Sequence, residues 1–279
     1  MTTERFQQDY WASEGEHWVR EADRYDAMNR LFGEAMLDAV KLRPGERVLD
    51  VGCGNGATTL AAARQVAPGG EAIGVDLSAP MLALARHRAD EAHCRNLQLL
   101  QADAGSHPFE DAEFDAVISR FGTMFFERPE VAFKNLHRAL KSGGRLAMVC
   151  WRDASESEYI AVPAAAAAKH VGLPDFGPPD APGPFALADQ KRLCGIVEAA
   201  GFHSASVESI TKPMRIADNL DDAVAFITSQ PVVRDELFAG KPESNVRAAI
   251  AAAREALAPY EGPSGVVMSA GAWLVSLRR

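Results

Sequence analysis

Val48-Leu49-Asp50-Val51-Gly52-Cys53-Gly54-Asn55-Gly56 is an apolar run that ends in a loop with glycine at every second position. Glycine lacks a Cβ, so the chain can turn sharply there and lie against a ligand at the carboxyl end of a strand. Read through to Ala57, the loop also fits the G-x-G-x-x-G/A dinucleotide fingerprint. Asp50 argues against that ligand: a carboxylate two residues ahead of the first glycine would face a pyrophosphate, whose charge such loops attract with bare amides and a helix dipole. The loop suits a ligand that carries positive charge.

Outward from the loop, short β-rich runs alternate with helical stretches between residues 47 and 152, the pattern of a parallel sheet wrapped by helices. Strands are expected at residues 47–51, 72–77, 97–102, 114–119 and 145–151, and helices near 57–66, 79–91 and 129–140. Turns are read at Pro44-Gly45, Pro68-Gly69-Gly70 and Ser142-Gly143-Gly144. Residues 153–188 are rich in proline and glycine, although the alanine run at 164–168 reads as packed helix. A helix over 189–200 closed by Gly201 follows, and residues 206–216 and 266–277 alternate in the manner of strands. Between those two strands lies a mostly helical stretch, 218–260. The division expected is a helical lid over 1–40, a ligand-binding core over 41–152, and a remainder, 153–279, with the last strands and cap insertions at 153–188 and 218–260.

The chain has 279 residues, 47% of them hydrophobic, which is enough to bury a large core. A formal net charge of -9 has the wrong sign for sequence-independent adhesion to nucleic acid or to an anionic membrane, so a small-molecule partner is expected. Cys53, Cys94, Cys150 and Cys194 are dispersed and form no C-x-x-C pair, which suggests reduced thiols and no metal site. The first residues lack a basic segment followed by an apolar run, and no charge-free apolar stretch is long enough to span a bilayer; a cytoplasmic protein is expected. A homo-oligomer is compatible with all of this.

Two further acids fall at strand ends. Asp76 closes the second strand, 24 residues after Gly52, the spacing at which a carboxylate can accept both hydroxyls of a ribose. Ser78 is read as the cap of the following helix. Asp103 closes the third strand, with a turn aspartate ahead of Gly105-Ser106 as the alternative. Asp50, Asp76 and Asp103 together describe one face of one crevice.

On this acid, Asp50, followed by Gly52-x-Gly54-x-Gly56, the chain resembles the class I S-adenosylmethionine-dependent methyltransferases, closely over about residues 20–152. The resemblance implies an α/β, Rossmann-like, doubly wound sheet of seven strands, mostly parallel with an antiparallel last strand, plus helical cap insertions. It implies S-adenosyl-L-methionine as cofactor, cradled by Gly52, Gly54 and Asn55, with Asp103 accepting the adenine amino hydrogen and the Ala104 N–H serving a ring nitrogen. Leu77 and Met81 are the apolar plates for the base, and Ser119 and Arg120 flank the methionine end. Trp18, in an aromatic amino-terminal segment suited to close over a ligand, is the residue expected against the cofactor.

The expected activity is methyl transfer by direct displacement to a small-molecule acceptor, a secondary metabolite in one reading, with oxygen ahead of nitrogen and carbon. Phe121, Phe125 and Trp151 are candidates for the acceptor pocket. The donor is already activated, so positioning and desolvation can supply most of the catalysis, and a base helps only where the acceptor must lose a proton. His17 and Tyr25 are the candidates for that role, although His17 also reads as an exposed turn histidine. Two alternatives stand beside this reading: an NAD(P)-dependent oxidoreductase using the same glycine loop, and a non-catalytic S-adenosylmethionine-binding protein.

Overall fold

β-Rich runs that are apolar on both faces need cover on both sides, and the chain supplies it by wrapping helices around a single twisted sheet. The computed structural model describes residues 11, 15–178 and 181–279. The beginning of the expected lid, residues 1–10 and 12–14, therefore lies outside the described residues.

The elements in chain order are α1 (Ala22–Val40), β1 (Arg47–Val51), α2 (Ala57–Val66), β2 (Glu71–Asp76), α3 (Ala79–Glu91), β3 (Leu97–Gln101), β4 (Phe114–Arg120), α4 (Pro129–Ala139), β5 (Leu140–Trp151), α5 (Glu158–Val171), α6 (Gln190–Ala199), β6 (His203–Ala217), α7 (Leu220–Ser229), α8 (Glu243–Leu257), β7 (Glu261–Gly262) and β8 (Gly265–Arg278). The sheet order is β3-β2-β1-β4-β5-β8-β6. Strands β3 to β5 are parallel, and β8 runs antiparallel between β5 and β6. The sheet holds eight strands where seven were expected, because the chain doubles back at Pro263-Ser264 and the two-residue β7 pairs with the start of β8.

Val48, Leu49 and Val51 of β1 are buried, as a central strand covered on both faces requires. Helix α1 buries Met28, Phe32, Met36, Leu37 and Val40, one apolar stripe at helical spacing laid against the sheet. Helix α4 does the same with Ala132, Phe133, Leu136 and Ala139. The Ser142-Gly143-Gly144 turn is absorbed into β5: the ladder with β4 jumps from Phe114↔Leu140 to Ala116↔Arg145, so residues 141–144 bulge out where Gly143 takes φ +73°.

Beyond the core, α7 and α8 with a short π-helical stretch, Val232–Leu237, form the insertion between β6 and β8. Helix α5 packs on α8 through Ala167, Val171 and Ala249. No helix among the described residues is long and apolar enough to cross a membrane.

Candidate active site

The glycine loop leaves β1 at its carboxyl end and turns into α2. Gly52, Gly54 and Gly56 all take positive φ, at +66°, +53° and +81°. At Gly52 the constraint is steric as well, since a Cβ would lie 2.7 Å from the Cα of Gly122 in the loop after β4. Two backbones therefore meet there with no side chain between them.

Asp76 Oδ2 accepts the Gly54 N–H at 2.8 Å and Oδ1 accepts the Ser78 N–H at 2.8 Å, so this carboxylate ties the loop to the start of α3. Burial pushes its pKa up against those two amides, which pull it down. Ser78 stands at the N-cap position of α3 but makes no side-chain cap bond, which corrects the expected role of its hydroxyl. Its Oγ is buried without a partner among the described residues, and a Cβ on Gly15 would come within 2.8 Å of it, so Gly15 lies over this corner.

Asp50 is fully buried. Its Oδ2 accepts the hydroxyls of Thr58 and Thr59 at 2.6 and 2.7 Å, while Oδ1 has no partner among the described residues. Burial raises its pKa to about 6, against the two threonine bonds and the nearby Arg120 charge, which lower it. Asp103 turns back on its own loop: Oδ1 accepts the Gly105 N–H at 2.8 Å and Oδ2 the Ser106 hydroxyl at 2.7 Å. Asp50 and Asp76 thus lie close enough to feel each other's charge, whereas Asp103 takes the turn geometry that was its alternative.

The remaining cofactor candidates surround the loop. The Met81 methyl would lie 3.1 Å from a Cβ on Gly54, Leu77 at the start of the turn after β2 is half-buried, and Ala104 is buried. Ser119 is engaged internally, donating to the Val51 carbonyl at 2.9 Å and accepting the Gly122 and Thr123 N–H groups at 3.2 Å. Arg120 reaches α1, where its Nη2 donates to Asp26 Oδ1 at 2.7 Å.

Asp26 is the residue that sequence reasoning missed. Its Oδ2 also accepts Arg88 Nη1 at 2.8 Å and Asn55 Nδ2 at 2.9 Å, so one carboxylate gathers the glycine loop, α3 and β4. Its partners are 29, 62 and 94 positions away, and no local pattern marks them. The two preceding residues hold the cap. Arg24 pairs with both oxygens of Asp222 at 2.8 and 3.0 Å, and the Tyr25 hydroxyl donates to Gln230 Oε1 at 2.7 Å.

The aromatic candidates fall into two groups. Trp18 stacks on Tyr25 with centroids 4.3 Å apart, and Trp11 meets Phe125 edge-on at 5.0 Å. Phe121 stacks on Trp151 at 3.8 Å, backed by the buried Phe32 at 5.5 and 5.3 Å from the two rings. Phe121 holds this position at φ +63°, a strained value for a residue with a large side chain. Phe125 thus meets Trp11 of the amino-terminal segment, while Phe121 meets Trp151 and Phe32. His17 is a correction too: it lies in a helical stretch, residues 15–20, at 6% exposure with Trp18 edge-on at 6.3 Å, because this aromatic segment packs down instead of turning outward.

The crevice fits S-adenosylmethionine by its donor set. It offers a bare backbone loop, the Asp76 carboxylate at the end of β2, a buried Asp50 oxygen without a partner among the described residues, and the apolar side chains of Leu77 and Met81. A family model described as a methyltransferase domain matches residues 49–148. A demethylmenaquinone methyltransferase of Thermus thermophilus is 40% identical over 136 residues, 46% of this chain and 61% of that protein. A ubiquinone/menaquinone biosynthesis C-methyltransferase, UbiE, of Stutzerimonas stutzeri is 32% identical over 209 residues, 68% of this chain and 81% of the relative. The chain spans between about half and three-fifths of the length of the first curated relatives it matches. Among solved structures, the YcgJ protein of Bacillus subtilis shares the fold at a TM-score of 0.58 and 19% identity, over 90% of this chain and 98% of its own. The fold, the glycine loop and these similarities agree: the chain belongs to the class I S-adenosylmethionine-dependent methyltransferase family.

Proposed function

We propose that the protein transfers a methyl group from S-adenosylmethionine to a ring carbon of a small oxygenated aromatic acceptor of the quinol kind. The observation that carries this reading is the Phe121–Trp151 stack at the ends of β4 and β5, directly beside the Gly52–Gly122 contact. A flat apolar plate next to the cofactor loop suits a flat apolar acceptor. The names of the relatives move the accepting atom from oxygen, which the sequence favoured, to carbon. The family match does not favour the oxidoreductase alternative.

In this reading Gly52, Gly54 and Asn55 cradle the cofactor, Asp76 takes its ribose, Asp103 and Ala104 its base between Leu77 and Met81, and Asp50 favours its positive charge. Trp18 covers it and Ser119 and Arg120 shape the methionine end. When bound, the cofactor supplies an electrophilic methyl whose sulfur departs as a neutral thioether. The acceptor would enter with its hydroxyl proton already given to solvent; the chain then orients the acceptor carbon and excludes water, the ring electrons form the new carbon–carbon bond, and as the product is released to solvent the ring carbon loses its hydrogen as a proton and the ring oxygen takes one up, restoring the aromatic alcohol. Neither His17 nor Tyr25 serves as base here, since the Tyr25 hydroxyl is committed to Gln230 and His17 is buried. The lid, core and cap divide near residues 40 and 152. A small molecule in place of nucleic acid is supported by the net charge of -9, the cytoplasm by the dispersed cysteines read as reduced thiols, and a homo-oligomer is compatible with the reading.

Incubation with methyl-labelled cofactor and 1,4-dihydroxynaphthalene, catechol or a primary amine tests the proposal. A ring-methylated product detected by mass spectrometry is the expected result. Cofactor binding with no product from any class supports the non-catalytic alternative, and binding of NAD alone overturns the reading.

A further inference from the structure

Helix α1 turns one face toward the glycine loop, and its contacts mark that face. Asp26 bonds Asn55 of the loop and Arg120 at the end of β4. Farther along the helix, a Cβ on Gly33 would lie 3.3 Å from Arg120 Cδ and 3.6 Å from the methyl of Thr58, at the start of α2. The Arg120 side chain therefore runs along α1 from Gly33 to Asp26. Asn29 stands between those two residues, three after Asp26 and four before Gly33, on the same face. Its Oδ1 is buried and has no hydrogen-bond partner among the described residues. An amide oxygen held out of water without a donor is costly. Asp50 Oδ1 is in the same condition; its carboxylate takes the hydroxyl of the same Thr58 and feels the charge of the same Arg120. Two acceptors that lack donors thus adjoin one cation. That is the set an α-amino acid group satisfies, its ammonium answering the oxygens and its carboxylate the guanidinium.

We infer that Asn29 is a further cofactor-binding residue, its side-chain oxygen accepting a hydrogen bond from the ammonium of the cofactor's methionine tail. The inference rests on the reading that puts Arg120 at that end of the cofactor and Asp50 beside its positive charge, and it adds a residue from the helix that precedes the glycine motif. A neutral amide suits the place, since it supplies an acceptor without a third negative charge beside Asp26 and Asp50. A nucleoside that lacks the tail leaves the Asn29 oxygen unpaired and is held less well.

Calorimetry of the full chain with S-adenosylhomocysteine and with methylthioadenosine, which keeps the nucleoside and the sulfur but lacks the amino-acid group, reads this without turnover. Asn29→Leu is expected to weaken S-adenosylhomocysteine about tenfold, the order of one hydrogen bond to a charged group, and to leave methylthioadenosine affinity unchanged. Asn29→Asp keeps the acceptor and loses the donor, and is expected to hold S-adenosylhomocysteine at least as tightly as the wild type. Full affinity in Asn29→Leu, an equal weakening of both ligands, or a loss of S-adenosylhomocysteine binding in Asn29→Asp overturns the assignment and leaves the cofactor site standing. A wild type that binds neither ligand overturns the site and the assignment together. Failure of the transfer assay with the expected affinities would instead overturn the proposed reaction and leave the role of Asn29 intact.

Discussion

The crevice has a polar side and an aromatic side, and they are assembled in different ways. The polar side, from Asp50 to Asp76, is one βαβ unit in which each functional group is placed by its neighbours in the chain: the loop by glycine, Asp76 by the register of β2 against β1. The aromatic side draws Phe32 from α1, Phe121 from the end of β4, Trp151 from the end of β5 and Tyr159 from α5, and exists only once the whole sheet is packed. Between them stands Asp26, the carboxylate that binds α1 to the polar side. The contrast teaches that the polar half is fixed locally and the aromatic half globally, so damage to the two halves should look different.

The sharpest way to break this comparison is Gly52→Ala. Its Cβ would meet Gly122 at 2.7 Å in a backbone already at φ +66°, and a loss of roughly 3 kcal/mol of stability is expected, with S-adenosylhomocysteine binding abolished in calorimetry. Retained binding would show that the two loops do not need their contact.

Asp50 gives a pH signature of the polar side. The folded protein holds its proton up to about 6 against a reference of 3.8, so neutral Asp50 stabilises at low pH, and its contribution falls as pH rises from about 4 to about 6. The shift corresponds to about 3 kcal/mol across that window. Carboxylates with lowered values, such as Asp222 beside Arg24, act in the opposite sense, so the Asp50 effect is read as the difference between urea titrations of wild type and Asp50→Asn. Parallel curves for the two proteins across that window would contradict the buried-acid account.

Asp26→Ala tests whether the halves are coupled. Arg120 and Arg88 would lose a partner at sites 15–20% exposed, and we expect about 2 kcal/mol of destabilisation together with roughly tenfold weaker S-adenosylhomocysteine binding. Unchanged binding would make the lid helix a bystander. The smallest effect belongs to Arg24→Ala: the Asp222 pair is about a quarter exposed and Arg24 lies 4.7 Å from the Phe226 ring, so about 1 kcal/mol is expected, with cofactor affinity unaltered.

The same contrast explains what could be read from the sequence. β1 and α2 fall on the residues expected, because apolar runs, glycine and helix formers are local signals. The sequence pattern starts β5 five residues late, since Gly143-Gly144 reads as a turn when it is a bulge inside a strand. Asp103 was legible as an acid at a strand end, but the amide and hydroxyl that claim it belong to the adjacent turn, and nothing in the spacing of strands decides between those partners. Asp26, Phe32 and Tyr159 carry no local mark at all: each gains its place from residues that only packing brings near.

The last rung of β6 pairs Ala217 with Val266, so the chain departs into the 218–264 excursion and returns from it at a single point on the ladder. Its two ends meet at that rung, while the Arg24–Asp222 and Tyr25–Gln230 pairs and the packing of α5 on α8 hold its body, so it behaves as a cassette whose docking residues must travel with it. Its length and sequence can be exchanged at only a small entropic cost of closure, while the strands on either side keep their pairing. One frame can thereby be refitted for ligands of different bulk without rebuilding its polar half.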